Sequence, residues 1–241
     1  MKNSISKIIA VLFIATIFTS CGVDMFNRVN GDRNVITQVR KTSDKFTGIR
    51  VSSGIDLYVT QGFKNKVTVE ADENLHDIII TEVEDGVLKV YSEKNIWRAK
   101  ARKVHVTIKD LSLLKATSGS DVYGKGTIKT DEISITATSG ADIRITVQAT
   151  SVETSSTSGS DISIAGTAIN HASSATSGAS IDAYELESQN VIAKATSGAD
   201  INIFASEKLD AKATSGGDID FKGNPKSVNK KSNSGGDVSR K

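Results

Sequence analysis

Between residues 116 and 241 the chain alternates apolar and polar residues in short runs on either side of a recurring Ser-Gly pair. After the pair the alternation reads Ile143-Arg144-Ile145, Ile162-Ser163-Ile164, Ile201-Asn202-Ile203 and Ile219-Asp220-Phe221. Before it come Ile133, Ile135 and Ala137, then Val191, Ala193 and Ala195, then Leu209, Ala211 and Ala213. Period-two alternation predicts strands with one buried face. The pairs recur in register, with Gly119, Gly140, Gly159, Gly178, Gly198, Gly216 and Gly235 at intervals of 21, 19, 19, 20, 18 and 19 residues. An isolated copy, Ser53-Gly54-Ile55-Asp56-Leu57, precedes them. Such a period is too short for most helical repeats and fits one coil of a β-solenoid. Each coil then carries two short strands flanking a turn whose Gly permits positive φ.

Stacking explains the period. Equivalent residues of successive coils would lie about 4.8 Å apart, so Val122, Ile143, Ile162, Ile181, Ile201, Ile219 and Val238 predict one continuous apolar ladder. No coil buries its apolar face alone, and stability is a nearest-neighbour sum. An Asp follows each corner (Asp121, Asp142, Asp161, Asp200, Asp218, Asp237), with Ser180 replacing one. These carboxylates suit Asx-type turns that accept turn N–H groups. A stacked row could instead be neutralised by calcium, but Ser180 interrupts it and the spacing is not that of the short calcium-binding nonapeptide. No metal or other cofactor is implied.

Residues 35–115 are less regular. Ile49–Val51, Leu57–Val59, Val67–Val69, 78–80, 87–91 and Val104–Ile108 read as strands, and Glu84-Asp85-Gly86-Val87 as a hairpin turn. No Gly- or Pro-rich linker separates them from the repeats, so 35–241 is read as one solenoid domain: irregular N-terminal coils (35–115), capping one end, then the repeats (116–241). At the other end Lys230, Lys231, Arg240 and Lys241 would blunt an open strand edge, or a second copy would cover it.

The first twenty residues are of another kind. Lys2 and Lys7 precede an apolar run, IIAVLFIATIF, too short to span a bilayer and suited to a signal peptide. It ends in Phe18-Thr19-Ser20-Cys21-Gly22, and Cys21 is the chain's single cysteine. This resembles the bacterial lipobox, with Phe18 where Leu is usual, and so implies lipid attachment at Cys21 after removal of residues 1–20. Residues 21–34 then form a lipid-anchored tether. The implied location is the cell envelope, at the outer membrane, with the facing side left open.

Beyond the leader, 28 basic residues balance 28 acidic ones, so no global field points to nucleic acid. Lys94, Arg98, Lys100, Arg102 and Lys103 form the nearest thing to a basic patch and read as a solvated strand flank. His76 falls in a polar turn and His105 on a strand. His171 falls where neighbouring coils have Val152 and Val191, which makes it a packed residue. There is no phosphate loop, metal-ligand spacing or nucleophile elbow, and no catalytic residue is nominated.

The Ser-Gly-x-Asp-Ile coils behind a lipobox, entered through Val104-His105-Val106-Thr107-Ile108, Leu111, Leu114 and Ser118-Gly119-Ser120-Asp121, resemble the family described as "putative auto-transporter adhesin, head GIN domain". The resemblance covers about residues 35–240. It implies an all-β, single-stranded right-handed β-helix of pectin-lyase-like shape and no catalytic residues, though this chain has no room for an auto-transporter barrel. The expected function is a non-catalytic envelope lipoprotein, an adhesin or scaffold that binds a polymer or protein through its solenoid faces. Membrane contact is through the lipid anchor, and trimerisation along a flat face is left open. The alternative is a polysaccharide-acting enzyme of the same shape. Cys21→Ala should move the protein from the membrane to the soluble fraction on cell fractionation; continued membrane partitioning would sink the lipobox reading.

Overall fold

The computed structural model describes residues 28–43 and 45–241. Cys21, the signal peptide and the first part of the tether lie outside the described residues. The strands, in chain order, are β1 (Arg28–Asn30), β2 (Val35–Arg40), β3 (Gly48–Val51), β4 (Asp56–Gln61), β5 (Lys66–Asp72), β6 (Ile79–Glu84), β7 (Val87–Ser92), β8 (Asn95–Arg98), β9 (Arg102–Ile108) and β10 (Leu113–Thr117). Five long strands follow, β11 (Asp121–Thr138), β12 (Asp142–Thr157), β13 (Asp161–Thr176), β14 (Ser180–Thr196) and β15 (Asp200–Thr214), and then β16 (Asp218–Lys222), β17 (Ser227–Asn233) and β18 (Asp237–Arg240). Apart from a single 3₁₀ turn at Glu73–Leu75, the described residues hold no regular helix.

The repeats form a parallel β-solenoid. Asp121, Asp142, Asp161, Ser180, Asp200, Asp218 and Asp237 lie opposite one another in successive ladders, as do the Ile and Val residues that follow them. All seven members of the expected apolar ladder are buried, from Val122 to Val238. The same column runs back through Leu57 and Val104 into the N-terminal part, where both side chains are fully buried.

The corners differ from the expectation in one respect. Both members of each Ser-Gly pair are left-handed: Ser158 has φ 58° and Gly159 φ 66°, and all eight copies repeat this. A left-handed non-glycine residue costs roughly 1–2 kcal/mol. What holds the serines there is a hydrogen bond from each corner to the next. Gly159 N–H donates to the Ser177 carbonyl at 3.2 Å, and the series runs from Gly54 to Ser118 through to Gly216 to Ser234. The isolated Ser53-Gly54 copy therefore heads the corner stack.

The coils also contain more strand than two alternating runs. β12 and β13 pair almost without interruption from Asp142 and Asp161 to Thr157 and Thr176. Strand character thus extends across the middle of each coil, where Ile169 and Asn170, or Gln189 and Asn190, point out consecutively. That doubled outward step breaks the period-two phase, which is why the alternation hides this third side.

The N-terminal coils do not stack in chain order. β3 pairs with both β7 and β10, and β4 with both β9 and β11. The first coil of the chain, β3–β4, is therefore held between the coil of β7 and β9 and the repeats. The chain gets outside it by reversing: β5 runs antiparallel to β9, β2 antiparallel to β5, and β6 and β7 form the expected hairpin, with Asp85 and Gly86 at φ 50° and 75°. Residues 28–34, expected in the tether, are folded: β1 pairs with β8, and the Arg33 N–H donates to the Asp72 carboxylate at 3.0 Å.

At the opposite end the last coil changes its inward column. Leu209, Ala211 and Ala213 face Val228, Lys230 and Ser232. The Lys230 ammonium lies 4.6 Å from the Phe221 ring centroid and 3.4 Å from the Val238 carbonyl oxygen. A charge at an inward-column position of β17, at the open end of the stack, discourages further edge pairing, and its alkyl stem covers the apolar end.

Ile162→Asp, which would bury an unpaired charge in the middle of the ladder, should lower stability by at least ~3 kcal/mol and unfold neighbouring coils. The exposed neighbour Ser163→Asp should leave the melt unchanged. Equal melts for the two variants, read by circular dichroism, would show that Ile162 is not interior.

Candidate ligand-binding groove

The middle third of the coils, missed by the alternation, lines a groove of about 1440 Å³. It runs across six levels, from Asp110 and Ser112 through Lys129–Glu132, Gln148–Thr150, Thr167–Ile169 and 187–189 to Phe204 and Ser206. Five inter-strand steps make it about 24 Å long. Because the strands are in register, its wall consists of columns: Lys129, Gln148, Thr167, Glu187 and Phe204 form one, and Thr130, Ala149, Ala168 and Ser188 the next. The exposed side chains of Gln148, Thr150, Thr167 and Gln189 make no hydrogen bond to the protein among the described residues, leaving their amides and hydroxyls for a ligand. Lys129 is accompanied by the carboxylates of Asp110, Asp131, Glu132 and Glu187, so the groove is net acidic. A smaller hollow of about 410 Å³ shares Ser112 and Glu132 and continues onto the adjoining side.

One end of the groove is pinned by Gln61. Its side-chain amide donates to the carbonyls of Lys109 (3.1 Å) and Lys129 (2.8 Å) and accepts from the Lys129 N–H (2.9 Å). Two residues on, Phe63 sits on the turn between β4 and β5 with its side chain fully exposed.

The residues singled out from the sequence lie elsewhere. Asp56, Asp121, Asp142 and Asp161 stand side by side in the ladder. The expected Asx-turn acceptance is not made at Asp121, Asp142 or Asp161: no backbone N–H reaches their carboxylates, and Asp142 meets the Arg144 guanidinium at 3.9 Å. Partial burial, and then the neighbouring carboxylates, push Asp121 and Asp161 above the usual carboxylate range; burial does the same to Asp56 against the pull of Arg102 and Lys103. No cluster of three or more His, Cys, Asp or Glu side chains among the described residues is arranged to hold a metal ion.

The basic patch divides. Lys103 pairs with Glu70 at 3.2 Å, and Arg102 turns inward beside Asp56, donating to the Ile96 carbonyl at 3.5 Å. Lys94, Arg98 and Lys100 stay exposed. Of the histidines, His76 is not in an open polar turn: it is buried, with Nε2 3.2 Å from the Ile36 carbonyl and 3.3 Å from that of Ala71, tying β2 to β5. His105 has a partner that only the antiparallel β5–β9 pairing brings, Glu70, at 3.0 Å. The hydrogen bond from His105 is the main influence holding Glu70 below its ordinary range, with Lys103 adding to it against partial burial. Both Glu70 oxygens are engaged, one by Lys103 and the other by His105; Tyr58 stacks between His105 and Tyr123 at centroid distances of 5.0 and 5.2 Å.

His171 occupies the expected packed position, between Val152 and Val191. Its Nε2 lies 2.9 Å from the Thr154 hydroxyl, which donates to Ser173 Oγ, so the ring donates through Nε2 and leaves Nδ1 without a partner. Burial lowers its pKa to about 4. Ser160 is a second internal polar group, with its hydroxyl bonded to the Ala137 and Thr157 carbonyls at 2.9 and 2.8 Å.

A continuous solenoid core beneath one long lateral groove of unspent hydrogen-bonding groups defines an elongated β-solenoid protein with a concave surface along the stack. More narrowly, residues 45–225 match the family described as "putative auto-transporter adhesin, head GIN domain", and the chain belongs to it. A putative adhesin from Bacteroides fragilis superposes with a TM-score of 0.83 at 22% identity, over 88% of this chain and 100% of that one. A putative adhesin from Parabacteroides merdae gives 0.72 at 23% identity, over 89% and 99%. A protein from Parabacteroides distasonis called a putative lipid binding protein gives 0.70 at 21%, over 89% and 99%. At these identities the likeness concerns the fold. No curated protein matches the chain.

His171 makes stability depend on pH in a definite direction. Its folded pKa lies below the unfolded value of 6.5, so its neutral form is fully tolerated above pH 6.5. Stability is then lost as pH falls towards about 4, by on the order of 3 kcal/mol in all. His171→Val should gain on the wild type by that amount between pH 7 and pH 4 in denaturant melts; a constant difference would show that the imidazole is not held neutral.

Proposed function

We propose that this protein is a non-catalytic envelope lipoprotein, acylated at Cys21 and held at the outer membrane, whose groove binds an extended neutral polysaccharide. The observation that carries the reading is the set of free amide and hydroxyl side chains, Gln148, Thr150, Thr167 and Gln189, on three successive coils of an open groove. A chain of sugars offers hydroxyls at regular intervals, and a register-locked column of Gln148, Thr167 and Glu187, with Thr150 and Gln189 beside it, can follow such a chain. The fully exposed Phe63 stands near the Gln61 end, and Phe204 closes the other, so aromatic faces are available for the apolar faces of sugar rings. The four groove carboxylates repel an acidic polymer, which disfavours the acidic polysaccharides expected of the pectin-lyase-like alternative. Membership of a family described as adhesin supports a binding role.

Binding to a panel of neutral polysaccharides should therefore be detectable and should weaken when groove groups are removed. Gln148→Ala with Gln189→Ala, at two hydrogen bonds of about 1 kcal/mol each, should reduce affinity on the order of tenfold or more, and Phe63→Ala should reduce it further. Affinity unchanged in these variants, or absence of binding across the panel, would refute the groove as the binding surface.

A further inference from the structure

The second exposed surface without an explanation lies where the described chain begins. The β1–β8 ribbon buries Ile96 and turns Trp97 outward, 54% exposed. The Arg28 guanidinium sits 4.3 Å from the centre of the indole. Lys94, Arg98 and Lys100 surround this ring along the chain, all exposed, and none of the four cations forms an ion pair among the described residues. The acids close in sequence are Asp24, Asp32 and Glu93, and Asp32 already accepts from the backbone N–H groups of Asn34 and Asn74. The opposite end of the solenoid is also rich in lysine, but most of its cations are engaged: Lys226 pairs with Glu207 at 2.7 Å, Lys241 with Asp220 at 3.2 Å, and Lys230 lies 4.6 Å from the Phe221 ring centroid, which leaves Lys231 exposed and without an ion pair among the described residues.

We infer that the Trp97 surface is a contact site for a membrane carrying anionic phospholipid. Indole is the side chain that most favours the boundary between headgroups and hydrocarbon, and unpaired cations beside it are attracted by anionic lipid. The position on the chain agrees. Arg28 is seven residues beyond Cys21, and seven residues reach at most about 25 Å, so a lipid at Cys21 keeps this ribbon, of all parts of the solenoid, close to the bilayer. That last point rests on the acylation proposed above; exposure and charge do not. Docked in this way, the head would be held at a set attitude to the membrane instead of pivoting freely on its anchor.

Trp97 is the only tryptophan of the chain, so its fluorescence reports this surface alone. The full-length membrane-extracted protein is reconstituted into vesicles of phosphatidylglycerol and phosphatidylethanolamine, and separately into phosphatidylcholine vesicles. The expected result is a blue-shifted emission, protection from acrylamide and quenching by brominated lipid in the first vesicles, weaker in the second. The exposed triple variant Lys94→Glu, Arg98→Glu, Lys100→Glu should lose the shift while keeping its circular dichroism. Solvent-like emission in phosphatidylglycerol vesicles, or a shift that survives the triple charge reversal, would overturn the proposal. Mass spectrometry of the N-terminal peptide tests the acylation separately: an unmodified Cys21 with a shifted Trp97 would retain this surface and remove the lipobox, and an acylated Cys21 with solvent-like emission would do the reverse.

Discussion

The structure depends on the corner. Each Ser-Gly pair places two consecutive residues in the left-handed region, and the Gly N–H of each corner donates to the Ser carbonyl of the next, 3.1–3.2 Å away in every case from Gly54 to Gly216. That bond makes the backbone strain of one coil the concern of its neighbour. A coil that slipped by one residue would lose its corner bond and turn its whole apolar column outward at the same moment. Two independent terms thus select the same register, which lets a chain with few aromatic residues and many alanines in its core hold a single stacked arrangement.

The corner also limits what may stand behind it. The residue after each Gly lies beneath the turn, buried from Ser120 to Gly217 and partly buried at Gly236, and it is small throughout this series: Ser120, Ala141, Ser160, Ala179, Ala199, Gly217 and Gly236. A Cβ on Gly217 would come within 2.8 Å of the backbone of the preceding coil, so the late coils are closer there than an alanine permits. Where the small residue is Ser160, its hydroxyl is satisfied entirely by backbone and by Ser156. His171 is the exception to this economy: its Nδ1 has no partner, and a valine stands on either side of it in the column. An apolar position has been given to an imidazole at a cost in acid stability, and the rest of the solenoid tolerates it because stability is spread over many coils.

What the sequence could show follows from the same division. The corners and their flanking strands were legible because the period is nearly constant and the alternation strict; the Ile ladder and the place of His171 came from that alone. Three things were hidden for physical reasons. The serine conformation is a property of the corner bond, and Ser has no intrinsic preference that announces it. The exchange of stacking order around β3–β4 depends on antiparallel pairings between distant segments with no shared motif, and the same pairings hide the His105–Glu70 contact and divide the basic patch. The groove is lined by the stretch where two successive residues point outward, so the pattern that revealed the coils was blind to their third side.

That blindness bears on function. The corner and its two flanking strands are held by register, small-residue packing and the corner bond, and a substitution there disturbs the neighbouring coils. The third side is under weaker constraint: its columns hold Lys129, Gln148, Thr167, Glu187 and Phe204 at one equivalent position, five unlike side chains where the Ile ladder allows almost none. Sheet pairing still fixes their spacing and their common direction. A surface whose geometry is set by the stack while its chemistry varies from coil to coil suits the reading of an extended ligand, because each level can meet a different part of it without disturbing the fold beneath.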